Sequence, residues 1–239
     1  MATPFLCQPI QHGADIVVHS TTKFLSGHGN AMGGAIVDSG TFDWAQNDEY
    51  PSLAQPEEAY HGLNFYESFG DLAYTTYGHA VGLRDLGPTM APMNAYLTIM
   101  GIETLALRME KHVANAEVVA NYLHNHAKVS WVSYAGLEES NYFHLAKKYL
   151  PKGAGSVFTF GIIGGYDAGV KFVEKCQLLS HLANIGDTRS LVLHPASTTH
   201  RQLTETQRIS AGAGDDVIRL SIGLETVEDI IADLEQALR

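Results

Sequence analysis

Short apolar runs separated by stretches of helical periodicity limit this chain to a sheet packed with helices. The strand candidates are Ala14–His19, Gly34–Val37, Val129–Tyr134, Ser156–Ile162, Leu191–His194 and Val217–Ile222. Alternation of this kind predicts an α/β fold. The longest helical pattern runs from Pro92 to about His126. There Ala95, Ile99, Ile102, Leu105, Met109, Val113, Ala116 and Ala120 recur at three- and four-residue steps and predict one apolar face. Gly101 is a candidate bend, and a domain boundary is expected near Thr104. Further helices are expected over about Glu139–Tyr149, over about Asp167–Leu178, and from Thr226 to the end. Thr204 and Gln207 have the spacing of a capping box, and Gly186-Asp187 reads as a turn.

Between about Asp43 and Gly82 the chain is aromatic and loop-like, with Tyr50, Tyr60, Phe65, Tyr66, Phe69, Tyr74 and Tyr77. Long loops in compact domains tend to be functional or interfacial. A surface insertion packed by its own aromatic rings explains the pattern equally well.

The candidate chemistry begins at Ile16-Val17-Val18-His19-Ser20-Thr21-Thr22-Lys23. A β-branched strand, expected to be buried, gives way abruptly to hydroxyls and one amine. The glycine-rich stretch Gly27-His28-Gly29-Asn30-Ala31-Met32-Gly33-Gly34 follows, where backbone can approach another group closely. Pyridoxal phosphate (PLP) needs an imine-forming lysine, hydroxyl donors for its phosphate and a shaped pocket. A strand that ends in a solvated lysine fits the local pattern as well. A dinucleotide fingerprint does not: Gly27, Gly29 and Gly33 are spaced one residue too widely, and a strand follows instead of a helix. A P-loop fails because Lys23 precedes the glycines.

The 12 histidines suggest a metal, but His124 and His126 point apart on a helix end. His194 and His200 flank a segment without carboxylate or thiol at ligand spacing, so no metal site is expected. Arg219, inside the last strand candidate, must meet an anion if it is buried. That anion is either a carboxylate of the protein or one carried by a ligand.

With a net charge of −11, nucleic acid and anionic membrane surfaces are not expected partners. No apolar run approaches the ~20 residues that span a bilayer. The chain start lacks the blocks of a signal peptide. Cys7 and Cys176 are the 2 cysteines, too few for a disulfide framework. The cytosol is the expected compartment.

Four stretches carry a resemblance over nearly the entire chain: VVHSTTKFLSGHG at 17–29, GLRDLGPTMAPMNAYLTIMGIETLALRM at 82–109, NIGDTRSLVLHPASTTHRQL at 184–203 and RLSIGLETVEDIIADLEQAL at 219–238. Together they resemble the Cys/Met-metabolism family of PLP-dependent enzymes. The resemblance implies Lys23 as the Schiff-base lysine, Ser20 and Thr22 as donors to the cofactor phosphate, and Arg219 as the clamp for a substrate α-carboxylate. Asn184 and Thr199 would lie beside Arg219. Asn184, where γ-synthases and γ-lyases of the family often carry serine, and the aromatic segment point to the sulfhydrylase branch. The implied reaction is γ-replacement, converting O-acetylhomoserine and sulfide or a thiol to homocysteine or methionine and acetate. Cystathionine γ-synthase and methionine γ-lyase activities are the alternatives.

Family members are nearly twice this length, with the lysine near their middle. The resemblance therefore implies the C-terminal part of a fold type I (aspartate-aminotransferase-like) enzyme. Residues 1–104 would end the large PLP domain, and 105–239 would form the small domain. The residues that hold the pyridine nitrogen, stack on the ring and reach in from a neighbouring subunit would lie upstream. A chain inactive without that half is the competing expectation. The family also implies a homo-oligomer, a dimer of dimers.

Overall fold

Each expected apolar run forms a strand, and the helical stretches between them form helices. The structure, a computed structural model, describes residues 2–239. In chain order the elements are α1 Thr3–Leu6, β1 Ile16–Ser20, β2 Gly34–Asp38, α2 Pro51–Ala54, α3 Phe65–Phe69, α4 Ala73–Tyr77, α5 Pro92–Glu103 and α6 Leu105–His124. There follow β3 Val129–Ser133, α7 Phe143–Tyr149, β4 Val157–Ile162, α8 Gly165–Lys175, β5 Ser180–His181, β6 Leu191–Leu193, α9 Glu205–Ser210, β7 Val217–Ser221 and α10 Val227–Leu238. The α/β expectation holds.

The chain divides into two compact units. One comprises residues 2–7, 21–32 and 97–239, and the other residues 8–20 and 33–96. The division falls inside α5, and the segment that carries Lys23 belongs to the unit containing the C-terminal residues. These units interleave in sequence.

In the larger unit a five-stranded sheet has the order β3-β4-β7-β6-β5. All neighbours are antiparallel except β5 and β6. Side chains alternate across a strand. Phe158, Phe160 and Ile162 of β4 and Ile218, Leu220 and Ile222 in and just after β7 therefore face one way. They share a core with Val119 and Leu123 of α6, Phe172 of α8, and Ile230 and Leu234 of α10. Arg219 necessarily points to the opposite face, between Thr159 on β4 and Leu193 on β6. The capping box at α9 forms: the Thr204 N–H donates to Gln207 Oε1, and the Gln207 N–H to Thr204 Oγ1.

The expected single helix from Pro92 is broken at Thr104 into α5 and α6. On α6 the expected face is buried, with Leu105, Met109, Val113, Ala116 and Ala120 inside. On α5 the pattern reverses. Thr98 and Gly101 are buried, whereas Ile99 and Ile102 are 58% and 46% exposed. The break changes which face looks inward, so one periodicity cannot describe both helices.

In the smaller unit β1 and β2 pair antiparallel, with Val17 opposite Val37. The expectation of a buried strand before Lys23 is corrected here: Val18 is 72% exposed and Ile36, paired with it on β2, is 59% exposed, so the face they share is open. The aromatic segment packs on itself. Trp44, Leu53, Phe65 and Ala73 form its core, and Trp44 stacks on Tyr74 with ring centres 5.2 Å apart.

Candidate active site

Lys23 sits at a kink. It interrupts the helical turn Thr21–Leu25 with φ −91° and ψ −129°, outside the helical region. Beyond it the Gly27 N–H donates to the Lys23 carbonyl at 2.8 Å, and the Ser26 N–H to the Thr21 carbonyl at 3.0 Å. The side chain is half-buried, and its Nζ donates to Asn184 Oδ1 at 2.5 Å.

Asn184 belongs to the loop between β5 and β6, which β7 holds in place. Arg219 Nη2 donates to the Asn184 carbonyl at 3.4 Å. Two residues along the same strand face, Ser221 Oγ accepts the Gly186 N–H at 3.0 Å. Gly186 has φ +75°, and a Cβ there would lie 2.7 Å from the Phe24 backbone nitrogen. Glycine is thus required twice, for the left-handed backbone and for the approach to the lysine segment. Lys23, Asn184 and Arg219 are brought together by this chain of contacts.

Arg219 answers the question its position raised. Among the described residues no carboxylate pairs with its guanidinium. Burial pushes its pKa below the ordinary arginine value. A half-buried guanidinium without a protein anion suits a ligand carboxylate, which its planar fork can grip with two hydrogen bonds. Lys23 likewise makes no ion pair among the described residues. Its partner is a neutral amide oxygen, so the amine is held without being locked to a carboxylate.

The other expected site residues are placed less closely. Thr199 is exposed, and its Oγ1 bonds His200 Nδ1 at 2.8 Å. No hydrogen bond among the described residues joins it to Asn184 or Arg219. Ser20 ends β1 with an exposed side chain, and Thr22 is half-buried. The glycine stretch approaches protein side chains: Gly27 adjoins the Arg108 guanidinium, and Gly29 the Asp187 carboxylate. Burial would push the Asp187 carboxyl up, but hydrogen bonds from Arg189 and Thr188 outweigh it and hold it below the usual range. No group of three or more His, Cys, Asp or Glu among the described residues is arranged to hold a metal.

Sequence reasoning missed the polar row on α6 behind this site. Arg108 donates to backbone carbonyls of the lysine segment. His112 Nδ1 donates to the Ile222 carbonyl at 2.6 Å. Its ring also meets Phe24 edge-on at 5.3 Å. Burial pushes the His112 pKa below the ordinary imidazole value. Asn115 Nδ2 donates to the Gly223 and Glu225 carbonyls. The signal was available: Arg108, His112 and Asn115 follow one another at helical steps along the edge of the apolar stripe.

An amine and an unpaired guanidinium, joined by one asparagine on an α/β scaffold, define a site for a small anionic molecule that can react with an amine. Comparison with known proteins gives that class a family. The model of the Cys/Met metabolism PLP-dependent enzymes matches residues 1–239, and the chain belongs to that family. It is 48% identical to an O-acetyl-L-homoserine sulfhydrylase of Leptospira meyeri, over 100% of this chain and 56% of the relative. It is 51% identical to a homocysteine synthase of Schizosaccharomyces pombe, over 98% of this chain and 55% of the relative. A crystal structure from Campylobacter jejuni, described as an O-acetylhomoserine (thiol)-lyase with a pyridoxyl-lysine phosphate, superposes with a TM-score of 0.94. That match is 44% identical and covers 99% of this chain and 56% of the other. The chain spans about half the length of the curated relatives it matches.

Proposed function

We propose that this chain supplies the lysine and the carboxylate clamp of a PLP-dependent γ-replacement site. The reaction takes O-acetylhomoserine and sulfide, or a thiol, to homocysteine, or methionine, and acetate. The observation that carries the reading is the single asparagine that contacts both the Lys23 amine and the Arg219 guanidinium, neither of which pairs with a carboxylate among the described residues. The names of the relatives supply the substrate class.

The residues fit PLP. Lys23 would bind its aldehyde carbon, and the Ser20 and Thr22 hydroxyls would donate to its phosphate. When bound, the cofactor supplies a sink for the electron pair left at the substrate Cα. The remaining work falls to side chains of this protein. Arg219 grips the α-carboxylate, with Asn184 and Thr199 as its neighbours in the substrate site. Lys23, on a flexible stem, moves protons at Cα and Cβ. Acetate departs from Cγ, and sulfur bonds to the same carbon.

The reading includes residues 1–104 as large-domain structure and 105–239 as the small domain. It also includes a homo-oligomer built from dimers. The exposed Ile99 and Ile102 of α5 support a further apolar contact. No helix among the described residues is long and apolar enough to cross a membrane. The unpaired Cys7 and Cys176 suit the cytosol.

The test is an acceptor series in the active assembly, offering sulfide, methanethiol, cysteine or water with O-acetylhomoserine. Homocysteine and acetate in equal amounts, with sulfide preferred, are expected. Preference for cysteine as acceptor, giving cystathionine, would replace the reading with a γ-synthase.

A further inference from the structure

We infer that Arg108 is a positioning residue that holds Lys23 in place through the peptide groups that follow it. The inference rests on the function proposed above and concerns how this chain presents its amine.

Arg108 is 6% exposed, and no carboxylate pairs with it among the described residues. A guanidinium in that setting needs other acceptors for its donors. Backbone carbonyls provide them. Nη1 donates to the Phe24 carbonyl at 2.9 Å, and Nη2 to the Leu25 carbonyl at 3.4 Å and the Gly101 carbonyl at 2.6 Å. Nε donates to Thr104 Oγ1 at 3.2 Å, and that hydroxyl donates to the same Gly101 carbonyl. Gly101 lies in the last turn of α5, where carbonyls lack helical partners and a cation is favoured. One planar fork therefore closes the end of α5 and ties down the carbonyls of the two residues after Lys23.

The surroundings admit this side chain and no bulkier arrangement. Gly27 has φ +78°, and a Cβ there would lie 3.1 Å from Arg108 Nη2 and closer still to Nη1. A Cβ on Gly101 would strike the Leu25 and Ser26 carbonyls. The backbone after Lys23 thus rests against Gly101 with Arg108 threaded beside it. Lysine at 108 would keep a charge but could not span these carbonyls with fixed geometry.

Amide hydrogen exchange on the full chain tests this with Arg108→Met and Arg108→Lys. Exchange at the Ser26 and Gly27 amides should rise about tenfold or more in Arg108→Met, as expected for loss of charged hydrogen bonds that close a local segment. Phe158 and Leu220 should keep wild-type protection, and Arg108→Lys should fall between. Labelling of Lys23 by an amine-reactive ester, relative to Lys147 and Lys171, should rise in parallel. In the active assembly kcat should fall while KM for O-acetylhomoserine is retained, because Arg219 is untouched. Wild-type exchange and labelling in both variants would overturn the inference. So would an equal rise at Phe158 and Leu220, or failure of both variants to fold, since each assigns Arg108 to global stability. If PLP attaches to no lysine in the wild-type chain, the proposed function fails while the exchange result still decides the role of Arg108.

Discussion

The Lys23 amine lies 2.5 Å from the side-chain oxygen of Asn184, 161 positions further along the chain. The same residue's carbonyl accepts from Arg219. Asn184 therefore links the Lys23 amine to the Arg219 guanidinium.

Lys23→Ala should abolish turnover in the active assembly and leave the fold intact. The side chain is half-buried and makes no ion pair among the described residues, so little stability rests on it. Circular dichroism should be unchanged while acetate release stops. Normal turnover would remove the lysine from the mechanism.

Arg219→Ala should weaken substrate binding by roughly 2–5 kcal/mol, the usual cost of leaving a buried charged partner unpaired. Arg219→Lys should recover only part of it, because an ammonium lacks the two-pronged geometry. Steady-state kinetics check this, and an unchanged KM in Arg219→Ala would make the arginine structural.

Gly186→Ala forces a side chain into a left-handed backbone, a cost of roughly 1–2 kcal/mol. It also pushes against the Phe24 nitrogen. Activity should fall further than the loss in stability explains, because Lys23 is next to the displaced peptide. Proportionate losses in both would show that the glycine serves the turn alone.

Asp233 is a structural carboxylate with a pH signature. It is 6% exposed and accepts the N–H groups of Gln177, Leu178 and Leu179 at 2.8, 2.9 and 3.0 Å. Burial pushes its carboxyl up, but these donors outweigh it and hold the pKa below the ordinary value. A depressed folded pKa stabilises fully above the unfolded value of ~3.9 and less as pH falls through the folded one. Asp233→Ala should cost about 1–3 kcal/mol at pH ~7, the penalty for stranded buried donors. The gap between wild-type and variant denaturation midpoints should narrow below pH ~4. A gap independent of pH would contradict the assignment.

Much of this architecture could be read from local pattern. The strand runs and the Thr204–Gln207 capping box depend on neighbours a few residues apart, and they form where expected. The two-residue strand β5 has no periodicity to detect. Gly101 packs under the Ser26 carbonyl, a contact between distant segments that local periodicity does not show. For the same reason the resemblance placed Asn184 beside Arg219, while its contact with Lys23 came only from the structure. The helical spacing of Arg108 and His112 marks their positions beside the apolar stripe, but not what a polar side chain there will bind. The aromatic segment was legible as a cluster, but its ring stacking required coordinates.

The most direct test of the account is to incubate the chain with PLP, reduce with borohydride and map the modified peptide. The account predicts one phosphopyridoxyl group on Lys23, lost in Lys23→Ala. Modification at another lysine, or none in the active assembly, would contradict it.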